Sequence, residues 1–170
     1  MFGRWLKSLA DTAPPSGATD LFHVVQKELP DADEETRMVV VAIVGLLGAV
    51  AYADRNFSDV EERRIQDELS RVNGMTESGI RAICAVLRQH IIEVSTVQLP
   101  RYARILVDLA DHELRVELLQ TLLELAAADG AITHHETNLL RLVTQALGLS
   151  QFDYNHAQAK HRDRLAALKL

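Results

Sequence analysis

"AAADGAITHHE", residues 126–136, and "AYADRNFSDVE", residues 51–61, are two copies of one motif, 75 residues apart. Each copy follows an apolar segment and runs through an aspartate, Asp129 or Asp54, to a hydroxyl residue with a glutamate three positions later. Such a pair is a capping box, in which the hydroxyl and the carboxylate each accept a backbone N–H at the start of a helix. The motif therefore predicts a helix, a corner and a second helix, and its repetition predicts two related helical hairpins.

The aspartate of each copy stands where a helix ends, beside the negative end of the helix dipole. A carboxylate at that position is destabilising unless another interaction offsets the repulsion. Two hypotheses account for it. In the first, each aspartate accepts backbone N–H groups of its own turn and each glutamate only completes its capping box. In the second, the carboxylates bind a metal ion or a partner.

The second hypothesis requires the repeat to bring the two corners together. Four carboxylates would then crowd one site, and like charges that close take up a proton, an arginine or a cation. Oxygen ligands suit Ca²⁺, Mg²⁺ or Mn²⁺, whereas an added imidazole would favour Zn²⁺ or Mn²⁺. The predicted ligands are Asp54, Glu61, Asp129 and Glu136, with His134 and His135 as auxiliary ligands.

Residues that typically start or end helices stand at nearly all the breaks between segments of periodic hydrophobicity. No segment alternates apolar and polar residues like an amphipathic strand. We therefore predict an all-α fold, a single bundle of about seven helices built on the two hairpins. Asp20 is expected to cap one helix, and another is expected to run from Thr76 to about Ser95. Residues 1–19 are predicted to be an amphipathic segment and a Pro/Gly/Ser linker, and residues 20–170 the helical domain.

Charge and composition limit the class of protein. The net charge of −6 over 170 residues argues against a nucleic-acid partner, which needs a basic face. The lone Cys84 and the absence of a secretory signal lead us to expect a cytoplasmic location. The longest uncharged run, residues 38–53, is shorter than the ~20 residues that cross a bilayer. It predicts a buried central helix, whose Gly45 and Gly48 would let other helices approach closely.

The repeated pattern Ala-Asp-(Gly or Arg)-x-(Ile or Phe)-(Ser or Thr)-x-x-Glu resembles the TerB-like tellurite-resistance family. A related domain precedes the J-domain of a membrane-anchored DnaJ-like co-chaperone. The resemblance covers about residues 20–168 and implies a compact helical bundle, no established catalytic activity and a role in stress response near the membrane. It also implies that the four acidic residues bind metal. Arg55 departs from the family's glycine, and no J-domain motif follows.

Signatures of common enzymes are missing from the chain. It has no GxSxG nucleophile turn, GxxxxGK phosphate loop or GxGxxG fingerprint, and "HELRV" and "HETNL" lack the second histidine of a zinc protease. We therefore expect a non-catalytic stress-response module that acts through protein partners. The alternatives are a metal-dependent enzyme that uses the same carboxylates and a co-chaperone-like scaffold without a J-domain.

The first ten residues form a candidate docking segment. Apolar residues at helical spacing share one face, and Arg4 and Lys7 add positive charge. So short a helix needs a surface to dock on, which would be its own domain, a partner or an anionic membrane. Otherwise it would stay unfolded. The predicted docking residues are Phe2, Trp5, Leu6 and Leu9.

If this segment makes peripheral contact with a membrane, the fluorescence of Trp5 should shift to the blue when anionic vesicles are added. High salt should reverse the shift, because Arg4 and Lys7 supply the electrostatic part of the binding. Trp5 is the single tryptophan, so the emission spectrum reports on this segment alone. A spectrum that is already blue-shifted and does not respond to vesicles would mean that the segment packs on its own domain.

Overall fold

Nine α-helices make up most of the part of the chain that this computed structural model describes, residues 17–165. The all-α prediction is confirmed. The helices are α1 Gly17–Glu28, α2 Glu34–Ala51, α3 Asp59–Leu69, α4 Glu77–Gln89, α5 Ile91–Thr96, α6 Leu99–Leu109, α7 His112–Ala126, α8 His134–Ala146 and α9 Gln151–Ala159, followed by a 3₁₀ turn, Arg162–Arg164.

Helix α2 is the centre of the bundle. Asp33 caps it by accepting the N–H of Thr36 at 2.7 Å, and the helix packs against α1, α3, α5, α6, α7 and α8. A Cβ added at Gly45 would lie 2.2 Å from the Tyr102 ring of α6, and one added at Gly48 would lie 2.5 Å from Leu87 of α4. The two glycines therefore let other helices approach closely, as predicted. No helix within residues 17–165 is long and apolar enough to cross a membrane.

Corresponding helices of the two hairpins end and begin at the same spacing along the chain. Helix α2 ends at Ala51 and α7 at Ala126, while α3 begins at Asp59 and α8 at His134. Both offsets are 75 residues, the same as the offset of the sequence motif. Helix α3 also contacts α7 across the two hairpins, so the units pack together rather than standing apart.

Two features differ from the sequence predictions. The helix expected from Thr76 to about Ser95 divides at His90, whose backbone (φ −114°, ψ 19°) leaves the helical region. This break adds one helix, and the described range holds nine. Helix α1 begins at Gly17, three residues before the predicted domain boundary. Asp20 therefore lies in its first turn rather than at its N-cap, and the carboxylate lies 3.0 Å from His90 Nε2.

Two further predictions concern the lone thiol and the N-terminal segment. Cys84 is buried, and burial raises its pKa to about 11, which suits an inert core residue. The predicted docking residues Phe2, Trp5, Leu6 and Leu9 lie outside the described residues, so their role stays a prediction.

Candidate functional site

The backbone makes the same turn at both corners. After each preceding helix, three N–H groups donate to carbonyls in the same order, and the distances agree to within a few tenths of an ångström. In the first corner the pairs are Tyr52–Gly48 (3.0 Å), Ala53–Val50 (3.1 Å) and Arg55–Tyr52 (2.9 Å); in the second they are Ala127–Leu123 (3.0 Å), Ala128–Leu125 (3.0 Å) and Gly130–Ala127 (3.3 Å). The repeat in sequence is therefore a repeat in backbone hydrogen bonding.

The residue after each aspartate takes a positive φ, and here the copies differ. Arg55 has φ 68°, the one positive value at a non-glycine residue in the described range, whereas Gly130 has φ 133°. A left-handed conformation costs a residue with a Cβ roughly 1–2 kcal/mol. A Cβ at Gly130 would meet nothing within 4 Å, so glycine is needed there for its backbone conformation and not for space. The corner is thus less strained in the second copy.

Both predicted capping boxes are present. Glu61 Oε2 accepts from the backbone N–H of Ser58 at 2.8 Å and from its hydroxyl at 2.8 Å, and Ser58 Oγ accepts from Glu61 N at 3.2 Å. In the second corner Glu136 Oε2 accepts from Thr133 N at 2.7 Å, and Thr133 Oγ1 accepts from Glu136 N at 3.2 Å. Each box fixes the first turn of its helix and turns the glutamate back towards the corner.

The two glutamates are buried, and their electrostatics link the corners. Glu61 is 5% exposed and Glu136 is 4% exposed. Burial is the main cause that raises the pKa of each carboxyl, and the hydrogen bonds within the capping boxes lower it in part. The negative charges of Asp54 and Asp129 raise the pKa of both glutamates, so each aspartate acts across to the other corner. The four carboxylates form one electrostatic unit, which we call the acidic corner pair.

The aspartates of the acidic corner pair are both exposed, but their contacts differ. Asp54 Oδ1 accepts the N–H of Asn56 at 2.8 Å, which offsets its repulsion by the end of α2. Asp129 accepts no hydrogen bond and makes no ion pair with any residue of the described range 17–165. The hypothesis that each aspartate accepts N–H groups of its own turn is therefore right for Asp54 and wrong for Asp129.

Comparison with known families agrees with this geometry. The family model described as tellurite resistance protein TerB matches residues 40–159, which is 120 of the 170 residues. The chain belongs to the TerB family. The matched range contains both corners and runs from α2 to the end of α9, so the TerB unit includes both hairpins. No curated protein and no solved structure matches the chain.

In this TerB chain the chemistry of the acidic corner pair suits a hard cation, because all four side chains are carboxylates that offer oxygen atoms as ligands. Each glutamate has one oxygen, Oε1, that accepts no hydrogen bond from a described residue, and both oxygens of Asp129 are likewise open. His134 and His135 lie exposed in the first turn of α8. Within residues 17–165, however, no three carboxylate, imidazole or thiol side chains are placed together as they would be around a metal ion.

Arg64 makes an ion pair between the two hairpins that the sequence did not predict. Its guanidinium, on α3, pairs with Glu124 on α7 and lies 3.4 Å from Glu68. The pair joins the helix that leaves the first corner to the helix that enters the second. No local sequence signal could reveal it, because the partners are 60 residues apart.

The raised pKa of Glu136 predicts a pH-dependent response to Glu136→Gln. The amide oxygen can still accept from Thr133 N, so the capping box persists while the buried charge is lost. Since the folded state holds the carboxyl proton more tightly than the unfolded state, ionisation above about pH 4.3 destabilises the wild type. The stability of the variant relative to the wild type should therefore rise between pH 4 and pH 7, measured by urea unfolding.

Glu136→Ala is the matched control for this prediction. It removes the charge together with the glutamate's half of the capping box, while Thr133 Oγ1 can still accept from the backbone N–H of residue 136. It should therefore lose about 1 kcal/mol through the missing hydrogen bond even where its charge effect is favourable. A relative stability of Glu136→Gln that is constant with pH, or that falls as the pH rises, would contradict the claim that burial opposes the charge.

Proposed function

We propose that this TerB protein is a non-catalytic stress-response module in which the acidic corner pair takes up a divalent cation and presents the loaded surface to a protein partner. The observation that carries the proposal is Asp129, an exposed carboxylate without a hydrogen-bond or ion-pair partner among residues 17–165. It stands in an electrostatic unit whose other members are also carboxylates. A bound cation would reduce the repulsion among these carboxylates.

The electrostatics of the acidic corner pair favour a cation in a second way. Burial is the main cause of the raised pKa of Glu61 and of Glu136, but the charges of Asp54 and Asp129 add repulsion, and a bound cation would relieve that repulsion. The exposed side chains of Asp54 and Asp129 can change rotamer towards such an ion without movement of the helices.

The donor set also limits which ion would be held. Carboxylate oxygens suit Ca²⁺, Mg²⁺ or Mn²⁺, and His134 or His135 would add the nitrogen that favours Zn²⁺. Asp129 would be the stronger ligand of the two aspartates, because one oxygen of Asp54 is already used by Asn56 N.

A binding role is favoured over catalysis by the shape of the surface. Active sites are usually concave pockets that enclose much of the substrate. Three hollows in the described range are lined by other residues, and none of the three includes a member of the acidic corner pair. Binding an ion at an exposed corner needs no such enclosure. The proposal includes a cytoplasmic location, with residues 1–10 supplying a contact to a partner or a membrane.

Thermal unfolding with added metal tests the proposal. A ligand that binds only the folded state raises stability by RT ln(1 + [L]/Kd), so the melting temperature should rise with the dose of Ca²⁺, Mg²⁺, Mn²⁺ or Zn²⁺. Asp129→Asn should abolish the rise. Asp54→Asn should weaken it less, because Arg55 makes the first corner the poorer half of the site.

Asp54→Asn is also the structural control, since asparagine Oδ1 can still accept from Asn56 N and preserve the turn. Both variants should keep the melting temperature that the wild type has in chelator, to within a few degrees. Melting curves of the wild type that no metal changes would overturn the metal-binding part of the proposal.

A further inference from the structure

A cavity of about 420 Å³ lies between α8, α9 and the 3₁₀ turn. Its lining is basic, whereas the acidic corner pair is negatively charged. Its wall contains two arginines and no acidic residue, although the whole chain carries a net charge of −6. The lining residues are Thr137, Arg141, Asn155, Gln158, Ala159, Arg162 and Leu165.

No carboxylate among the described residues neutralises the two arginines of this cavity. Neither Arg141 nor Arg162 forms an ion pair with a carboxylate of the described range, whereas Arg64 and Arg88 on α3 and α4 each do. The Arg141 guanidinium carbon lies 5.9 Å from the centre of the buried Tyr154 ring, which holds it at the cavity wall. The positive charge is therefore available to a ligand.

Neighbouring contacts orient the remaining polar groups. Asn155 Oδ1 accepts from Gln151 Nε2 at 2.8 Å, which leaves the Nδ2 amide of Asn155 as a donor. Gln158 Nε2 donates to the Tyr154 hydroxyl at 3.0 Å and keeps that ring in place.

The 3₁₀ turn that carries Arg162 is anchored to the rest of the fold. Leu165, at the end of the turn, is buried and forms an isolated parallel bridge with Ile132, the residue before the second capping box. Leu165 and Ala159 also give the cavity an apolar part of its wall. Arg162 is therefore presented from a segment whose position is fixed by the second corner.

We infer that this cavity binds a small oxyanion, held by the guanidinium groups of Arg141 and Arg162 and by the Asn155 amide. A guanidinium presents parallel N–H donors that match the oxygens of phosphate-like ions, and charge-assisted hydrogen bonds of this kind are stronger than neutral ones. The volume exceeds that of a bare tetrahedral ion, so the site also admits an oxyanion with a short substituent. This site is separate from the acidic corner pair and opposite to it in charge.

Isothermal titration calorimetry of the full chain tests the inference, with inorganic phosphate and tellurite as the two probes, in low-salt buffer that contains chelator. Tellurite is an oxyanion and is named in the description of the matched family. We expect saturable binding of at least one probe at one site per chain. Arg141→Gln and Arg162→Gln should each raise the Kd at least tenfold.

Arg81→Gln is the matched control, because Arg81 is an exposed arginine on α4 outside the cavity. It should change the Kd less than twofold, and Asp129→Asn should leave binding intact, which separates this site from the proposed metal site. If Arg141→Gln fails to fold, Arg162→Gln, on the exposed turn, decides the outcome. Absence of saturable binding of both probes, or an equal loss in Arg81→Gln, would overturn the inference.

Discussion

A glutamate that accepts the backbone N–H of its helix's N-cap residue is the interaction on which the rest of the structure depends. In each corner the glutamate bonds back to the N-cap backbone and is drawn below the surface, to 5% exposure at Glu61 and 4% at Glu136. The bond fixes where α3 and α8 begin, and therefore how each hairpin turns. Because the same bond is made twice at the same offset, the bundle acquires two related halves.

The same bond brings an electrostatic cost. A buried carboxylate is favoured by the hydrogen bonds of its capping box and disfavoured by the loss of water, and burial is the larger effect at both glutamates. Packing the two corners together adds the charges of Asp54 and Asp129. The fold offsets part of this repulsion locally, through the hydrogen bond from Asn56 to Asp54, but offers Asp129 nothing comparable within the described range.

Sequence reasoning succeeded where the physics is local. The capping boxes at Ser58 and Thr133 depend on residues three positions apart, and the effect of Arg55 depends on its own Cβ, so both could be predicted. The break at His90 could not be predicted, because no proline or glycine marks it in the sequence. The ion pair of Arg64 with Glu124 could not be predicted either, and nor could the effect of each aspartate's charge on the glutamate of the other corner. Tertiary packing alone brings those groups together.

The two corners act as one electrostatic unit, and a double-mutant cycle on Asp54→Asn and Glu136→Gln tests this coupling most directly. Both substitutions remove charge and keep the acceptor oxygen, so hydrogen bonding at each corner is preserved. Unfolding free energies would be measured in urea at pH 7 and low ionic strength. We expect the double variant to gain less stability than the sum of the single variants, with the difference shrinking in high salt. Additive effects at low salt would contradict the claim.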